Sequence, residues 1–208
     1  MNCLVTGGAG FIGSHLVDKL LARGYNVVVI DNLSTGKLEN INKKSTFIKA
    51  DITNYQEIEK YFKNIDYVFH HAALPRIQPS FIDPVSHELV NVVGTINVML
   101  ASKENNVKKF IFAGSSSCYG NTKQTPTTED AQIDCLSPYA LQKYTAEQYC
   151  LILGKRYGIK VNSVRYFNPY GPRSFNPKNE QSAYSSVVGI FKKQLLCGKI
   201  TITGDGEQ

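Results

Sequence analysis

A glycine-rich turn, Thr6-Gly7-Gly8-Ala9-Gly10-Phe11-Ile12-Gly13, follows a short apolar run ending at Leu4-Val5. A helical apolar stripe then begins at Phe11-Ile12 and continues at Leu16-Val17. Strand, glycine turn and helix in that order is the context a dinucleotide loop requires. Gly7 permits the tight turn, Gly10 lets backbone approach a pyrophosphate, and Gly13 lets the helix pack closely on the strand. The helix N-terminus, at Phe11 and Ile12, offers N–H groups and a positive dipole end to phosphates. The spacing is Gly-x-x-Gly-x-x-Gly, not the Gly-x-Gly-x-x-Gly of the common dehydrogenase loop, and such a turn alone also fits a purely structural role.

The next apolar run, Asn26-Val-Val-Val-Ile-Asp31, ends in a carboxylate eighteen residues after Gly13. An acid there accepts hydrogen bonds from the adenosine ribose hydroxyls. It repels a 2′-phosphate, so the pattern favours NAD over NADP. The alternative for Asp31 is a strand-end turn residue continued by Asn32. Further strand-like runs are Thr46–Lys49, Tyr67–Phe69, Phe110–Phe112 and Lys160–Val164, after Asn2–Val5 and Asn26–Ile30. Helical periodicity covers Phe11–Ala22, Tyr55–Phe62, Val85–Asn105 and Tyr139–Tyr157, with Asp83-Pro84 as a start signal for the third. This alternation predicts an α/β fold: a Rossmann-like, doubly wound parallel sheet with helices on both faces. Past Asn168 the texture shifts to Pro, Gly, Asn and Ser through Gln181, which reads as a long functional loop. A helix near Val187–Leu196 and a strand at Ile200–Thr203 are expected after it.

Tyr139 and Lys143 stand four apart, on one helix face and one turn from each other. A free phenol has a pKa of about 10, so about one in a thousand is ionised at neutral pH. A nearby ammonium favours phenolate, and lowering the pKa by about three units needs roughly 4 kcal/mol. Such a Tyr can serve as a general base toward a sugar hydroxyl while hydride leaves the carbon. Alone, Tyr-x-x-x-Lys is also an ordinary helical pair. Ser115-Ser116-Ser117 follow the fifth strand, where open α/β sheets bind ligands.

The 208 residues carry a net charge of +6, which suits anionic ligands, although the lysines are scattered and give no nucleic-acid signature. Five cysteines without a C-x-x-C pair argue against a disulfide framework or a zinc site. No run approaches the length of a membrane span, and the N-terminus enters the first strand without a signal peptide. A cytoplasmic protein without a resident metal is expected.

Taken in order, the segments Thr6–Gly13, Asp31–Gly36, Asp51-Ile52, His70–Ala73, Ser115–Gly120, Tyr139–Lys143 and Arg165–Arg173 resemble the extended short-chain dehydrogenase/reductase superfamily. Within it they resemble the NAD-dependent epimerase/dehydratase family, most of all the UDP-sugar 4-epimerases. The resemblance covers nearly the whole chain. It implies an NAD-binding domain over residues 1–167 and the start of a smaller substrate-binding region over 168–208. It also implies that the chain ends inside that smaller domain, which puts the activity of this chain alone in question.

The resemblance further implies the site. Tyr139 is the base, Lys143 lowers its pKa and binds the nicotinamide ribose, and Ser115 relays or orients the proton. Gly7, Gly10, Phe11, Ile12, Gly13, Asp31, Asn32, Ser34, Gly36, Asp51, Ile52, Ala72, Ala73, Asn91 and Tyr166 line the NAD site with Tyr139 and Lys143. Ser115, Ser116, Asn168 and Val187 hold the substrate, and Arg173 is a candidate phosphate partner. The related 4,6-dehydratases carry Thr-Asp-Glu where this chain has serines, so the serine slot points to epimerisation at C4. Other nucleotide-sugar chemistry (reductase, dehydratase or decarboxylase) and a non-catalytic NAD-binding module are the alternatives. Ala183–Val188, with Leu74-Pro75-Arg76 and Ser80, resembles the branch acting on UDP-N-acetylhexosamines. Histidines 70 and 71 are expected to be packed strand-end residues. Helices 85–105 and 139–157 match those that build the family's homodimer, although Leu89, Val93, Ile96, Leu100, Ala140, Tyr144 and Leu151 could equally serve the domain's own sheet.

Overall fold

Six parallel strands form one sheet in the order β3-β2-β1-β4-β5-β6. They are β1 Asn2–Thr6, β2 Asn26–Asp31, β3 Thr46–Lys49, β4 Tyr67–His70, β5 Lys109–Ser115 and β6 Lys160–Tyr166. The structure is a computed structural model and describes residues 1–174 and 187–202. The chain divides into two units, Met1–Phe167 and Asn168–Gln208. The sheet lies wholly in the first.

Strand order reverses between β1 and β4, whose C-terminal ends, Thr6 and His70, are register partners. A crevice at such a switch point is where open α/β sheets bind ligands. Both faces of the central strands are covered, which explains their near-continuous apolar sequence. Cys3, Val5, Val27 and Val29 pack on Val17 and Leu20 of helix α1 (Phe11–Ala22). Leu4, Ile30, Val68, Phe110 and Phe112 face the other way, onto a core that includes Val98, Met99, Ala146 and Cys150.

Helix α1 begins at Gly10, where no side chain caps the N-terminus and no acid occupies the first turn. The periodicity over Tyr55–Phe62 resolves into a short α2 (Tyr55–Ile58) and a 3-10 turn (Glu59–Phe62). A short helix α3 (Ile77–Ile82) has no sequence counterpart; Pro79 interrupts its pattern. The predicted helix over 85–105 is interrupted. It begins as α4 (Pro84–Glu88), with Asp83 accepting from Ser86 N–H, and widens to a π turn over Leu89–Val93. It then resumes as α5 (Gly94–Glu104). Helix α6 (Pro138–Tyr157) is uninterrupted: Ser137 caps it through Ala140 N–H, and Gly158 ends it at φ +73°.

In the second unit, α7 spans Val187–Leu196. Residues 200–202 form no strand, contrary to the β-branched alternation of Ile200-Thr201-Ile202; Ile200 and Ile202 are exposed and find no pairing edge. Ala183 to Ser186, Thr203 and the Gly204–Gln208 end lie outside the described residues, as does the side chain of Val187. No helix among the described residues is long and apolar enough to cross a membrane.

Candidate active site

The glycine turn is built by close approach. Gly7 lies at φ +71°, and a Cβ there would stand 2.6 Å from the Ala72 nitrogen. A Cβ on Gly13 would stand 2.2 Å from the Gly7 carbonyl oxygen. The turn between β1 and α1 is therefore pressed against the segment leaving β4, where Ala72 and Ala73 follow His71. Uncapped N–H groups at the start of α1 face no competing side-chain oxygen. A pyrophosphate fits such an end.

Asp31 ends β2 beside this turn. Its Oδ2 accepts from Ala9 N–H at 3.0 Å and its Oδ1 from Leu33 N–H at 2.8 Å. Burial pushes its carboxyl up, and these two N–H groups pull it partly back. A carboxylate offers about four lone-pair sites, so two remain for ribose hydroxyls. The loop after β2 folds back over the glycine turn, with Lys37 N–H and Asn40 Nδ2 both donating to the Ala9 carbonyl. Gly36 lies under it; a Cβ there would meet Ala9 Cβ at 2.7 Å. Asn32 Nδ2 donates to Asp51 Oδ2 at 2.8 Å, joining the ends of β2 and β3. Burial raises the Asp51 carboxyl, but hydrogen bonds from Thr53 and Asn32 outweigh it and leave it below its ordinary value. Asn32 Oδ1 in turn accepts from Ser34 N–H. Asn97 of α5 donates to the carbonyls of Ile52 and Thr53 and fixes that loop. The residues present thus fit a dinucleotide: uncapped helix N–H groups for phosphate, and carboxylates at two strand ends.

A one-way hydrogen-bond chain stiffens the switch point. Thr6 Oγ1 accepts from the N–H groups of His71 and Ala72, each at 3.2 Å. Its own hydrogen therefore goes to His70 Nδ1, 2.6 Å away. The His70 proton then sits on Nε2 and is donated to Thr95 Oγ1 at 2.8 Å. Thr95 donates onward to the Asn91 carbonyl at 2.7 Å, inside the π turn. Burial holds the His70 imidazole well below its ordinary pKa, so it stays neutral. His71 Nε2 lies 3.1 Å from the Tyr166 hydroxyl, and burial lowers its pKa to about 4. Both histidines are packed strand-end residues, as their setting in the sequence indicates.

The Asn91 side chain is wholly engaged in protein contacts. It grips Leu74 and also donates to Gln142 Oε1 at 3.3 Å. Gln142 precedes Lys143 and donates to the Pro84 carbonyl. Ser80 of α3 accepts from Tyr139 N–H at 3.0 Å. The segment between Leu74 and Ser80 is therefore held by the π turn at one end and by α6 at the other.

Tyr139, Lys143 and Glu147 occupy successive turns of one face of α6. Burial raises the Tyr139 phenol above its ordinary pKa, and a hydrogen bond with Ser115 partly offsets this. The chain by itself therefore leaves the phenol protonated at neutral pH, because burial penalises phenolate. Ser115 caps the turn after β5: its Oγ accepts from Ser117 N–H and lies 2.8 Å from Ser117 Oγ. Ser116 follows on that turn, half-buried. Lys143 is buried, and burial lowers its pKa to about 8. Its Nζ lies 4.4 Å from the centre of the Phe112 ring.

Two features escape sequence reasoning. Phe112 reads only as a strand residue, since nothing local marks a ring facing a lysine from another element. Buried Glu147 pairs with half-buried Arg165: Nη2 reaches Oε1 at 2.6 Å and Nε reaches Oε2 at 3.1 Å. Arg165 Nη1 donates to the Tyr119 hydroxyl at 2.6 Å and to the Glu129 carbonyl. This ties β6 and α6 to the segment after the serines. The Glu147 spacing from Lys143 was visible in the sequence; its partner on β6 was not. In the second unit, Asn168 lies at φ +40° and is exposed, and Gly171 N–H donates to Ser174 Oγ.

A family model described as "NAD dependent epimerase/dehydratase family" matches residues 3–208. A putative UDP-glucose 4-epimerase of Methanocaldococcus jannaschii is 42% identical over 208 residues, covering 99% of this chain and 67% of that protein. The crystal structure of a UDP-glucose 4-epimerase from Thermotoga maritima with UDP-glucose superposes with a TM-score of 0.93 at 42% identity, covering 100% of this chain and 67% of that one. A Thermus thermophilus UDP-glucose 4-epimerase in complex with NAD gives 0.87 at 40% identity, covering 97% and 64%. The chain spans about two thirds of the length of these relatives. Sequence, sheet order and site geometry agree that the chain belongs to the NAD-dependent epimerase/dehydratase family.

Proposed function

We propose that this chain is the nucleotide-binding and catalytic part of an NAD-dependent epimerase that inverts C4 of a UDP-sugar. The observation that carries the reading is the placement of Tyr139 beside Ser115, whose hydroxyl lowers the phenol's pKa, with Lys143 one turn further along the same face of α6. NAD, when bound, supplies a hydride acceptor and then a hydride donor. The chain handles the proton. Tyr139 takes it from the C4 hydroxyl and later returns it, and Ser115 orients the exchange between sugar oxygen and phenol. A neutral phenol is no base, so positive charge must favour phenolate. Lys143 is the cation the chain supplies for this, protonated below about pH 8.

Asp31, Asn32, Ser34, Gly36, Asp51 and Ile52 hold the adenosine half of NAD in this reading. The glycine turn with Phe11 and Ile12 holds the pyrophosphate, and Ala72, Ala73, Asn91 and Tyr166 frame the remainder. Asn91 does so through Leu74, since its amide is already engaged. Ser116, Asn168 and Val187 serve the UDP-sugar in this reading, which the UDP-glucose bound to the Thermotoga maritima relative supports. Leu89 and Val93, with Leu141 and Ile152 on α6, are exposed apolar residues, which supports a homodimer formed through these helices. Five free thiols suit the cytoplasm as the site of action.

Incubating the intact protein with UDP-glucose, UDP-N-acetylglucosamine and UDP-glucuronate, with NMR detection of C4, tests this reading. Inversion of at least one sugar is expected, with Tyr139→Phe inactive yet still binding NAD. NAD bound without inversion of any sugar would overturn it.

A further inference from the structure

We propose that Phe112 is a positioning residue for the reaction: its ring face holds the Lys143 ammonium where the Tyr139 chemistry needs it. This rests on the reading of Lys143 as the cation that favours phenolate. Lys143 is 4% exposed, and an ammonium held so largely out of water needs compensating partners. Yet among the described residues no hydrogen-bond acceptor and no carboxylate pairs with its Nζ. Glu147, one turn further on α6, is held at both carboxylate oxygens by Arg165 and also accepts from Ser163 Oγ at 2.7 Å. Besides the nicotinamide ribose that this reading assigns to Lys143, the contact the described chain offers its Nζ is the Phe112 ring, 4.4 Å away at its centre, well inside cation–π range.

The ring is itself fixed. Phe112 is fully buried in the middle of β5 and is the register partner of His70 on one side and Ser163 on the other. The His70 ring lies 5.9 Å away and is tied at both nitrogens by Thr6 and Thr95. Cys150 and Glu147 on α6 also favour the charged lysine through space, but neither pairs with its Nζ. His70 and His71, on the β4 side, are both disfavoured as cations by the Lys143 charge and stay neutral. On α6 itself stand Tyr139, Glu147 and Cys150, the last with its thiol pushed up to about 12 by burial. On β6, Arg165 is spent on Glu147. A leucine at position 112 would preserve apolar packing but present no negative face.

The test reads Lys143 directly in this chain, without turnover. Lysine labelled with 13C at Cε is titrated by NMR, with the resonance assigned through Lys143→Met. Wild type should titrate near pH 8, its ε protons shifted upfield by the ring current. Site-specific replacement of Phe112 by mono-, di- and trifluorophenylalanine weakens the ring face with little change of shape. It should lower the Lys143 pKa stepwise, by up to about one unit. Phe112→Leu should lower it as far and abolish the upfield shift. In the intact enzyme, the alkaline limb of kcat should move down by the same amount, with KM for the UDP-sugar unchanged. An unchanged Lys143 pKa across the fluorinated series would overturn the proposal, as would an ordinary ε-proton shift in wild type. Full turnover by Lys143→Met would instead overturn the catalytic reading of Lys143 and leave the NMR result standing.

Discussion

Asn91 grips Leu74 by both of its backbone polar groups, Oδ1 accepting from Leu74 N–H at 2.8 Å and Nδ2 donating to the Leu74 carbonyl at 3.1 Å. The opposite end of the same segment is held where Thr6 Oγ1 takes the N–H groups of His71 and Ala72. The stretch that faces the glycine turn is therefore clamped from two elements.

Replacing Asn91 with Leu removes one clamp and orphans polar groups on Leu74 and Gln142. The expected loss is about 2 kcal/mol, the usual range for such groups. Urea denaturation checks the stability, and NAD titration should show affinity reduced about tenfold. Asn91→Asp keeps the acceptor for Leu74 N–H and should recover part of both.

Lys143 makes stability depend on pH in a defined direction. Its folded pKa is lowered to about 8, against about 10.4 in an unfolded chain. Between those values the unfolded chain binds more protons, so stability rises with pH. The gain is complete above the unfolded value and amounts to up to about 3 kcal/mol. Cys3 and Cys150, raised to about 11 and about 12 by burial, act oppositely as the unfolded thiols ionise first. Comparison with Lys143→Met isolates the lysine. The variant should be the more stable at pH 7.5, and the difference should shrink by pH 10 in denaturant melts.

The Glu147–Arg165 pair should show strong coupling. Arg165→Met leaves the buried Glu147 carboxylate alone, at a cost of about 3–5 kcal/mol. Glu147→Gln leaves a partly exposed guanidinium and should cost less, and the double variant should lose far less than the sum of the two. A double-mutant cycle by thermal or urea unfolding measures it. Arg165→Met should also loosen the segment after Ser115, because the Tyr119 hydroxyl loses its donor.

Asp31→Asn tests the choice of cofactor. An amide keeps an acceptor for Ala9 or Leu33 N–H but carries no charge to repel a 2′-phosphate. Fluorescence titration should show weaker NAD binding and stronger NADP binding, with the ratio of the two affinities falling by at least about tenfold.

How much of this was legible depends on how local each determinant is. The β1 turn and α1 could be read in full, because the glycines, the strand before them and the helical stripe after them lie within one stretch of chain. Helix α6 was equally plain, with Pro138 at its first turn and Gly158 at its end. The π turn around Asn91 was not, because what it serves lies elsewhere, on Leu74, Thr95 and Gln142. Helix α3 was hidden by Pro79 and by its start at Arg76, which adopts φ +87°. Of the strand expected at residues 200–203, the described residues 200–202 form none, for the converse reason: alternation marks a residue able to pair, and pairing needs an edge. In the candidate site, residue types and order single out Ser115, Tyr139 and Lys143 as candidates. What surrounds the ammonium is set by β5 and β6 and has no sequence spacing to betray it.

Because β1 sits in the interior of the sheet, the order of synthesis and the order of assembly conflict. Strand β1 is made before both of its neighbours and can dock on β2 early, but its other edge stays bare until His70 has been made. Each later addition, β5 and then β6, must likewise await a long crossover. Folding should therefore be slow for the domain's size and tied to elongation. A pause or a break in translation before residue 70 would leave an open, Val-rich ribbon for chaperones to shield.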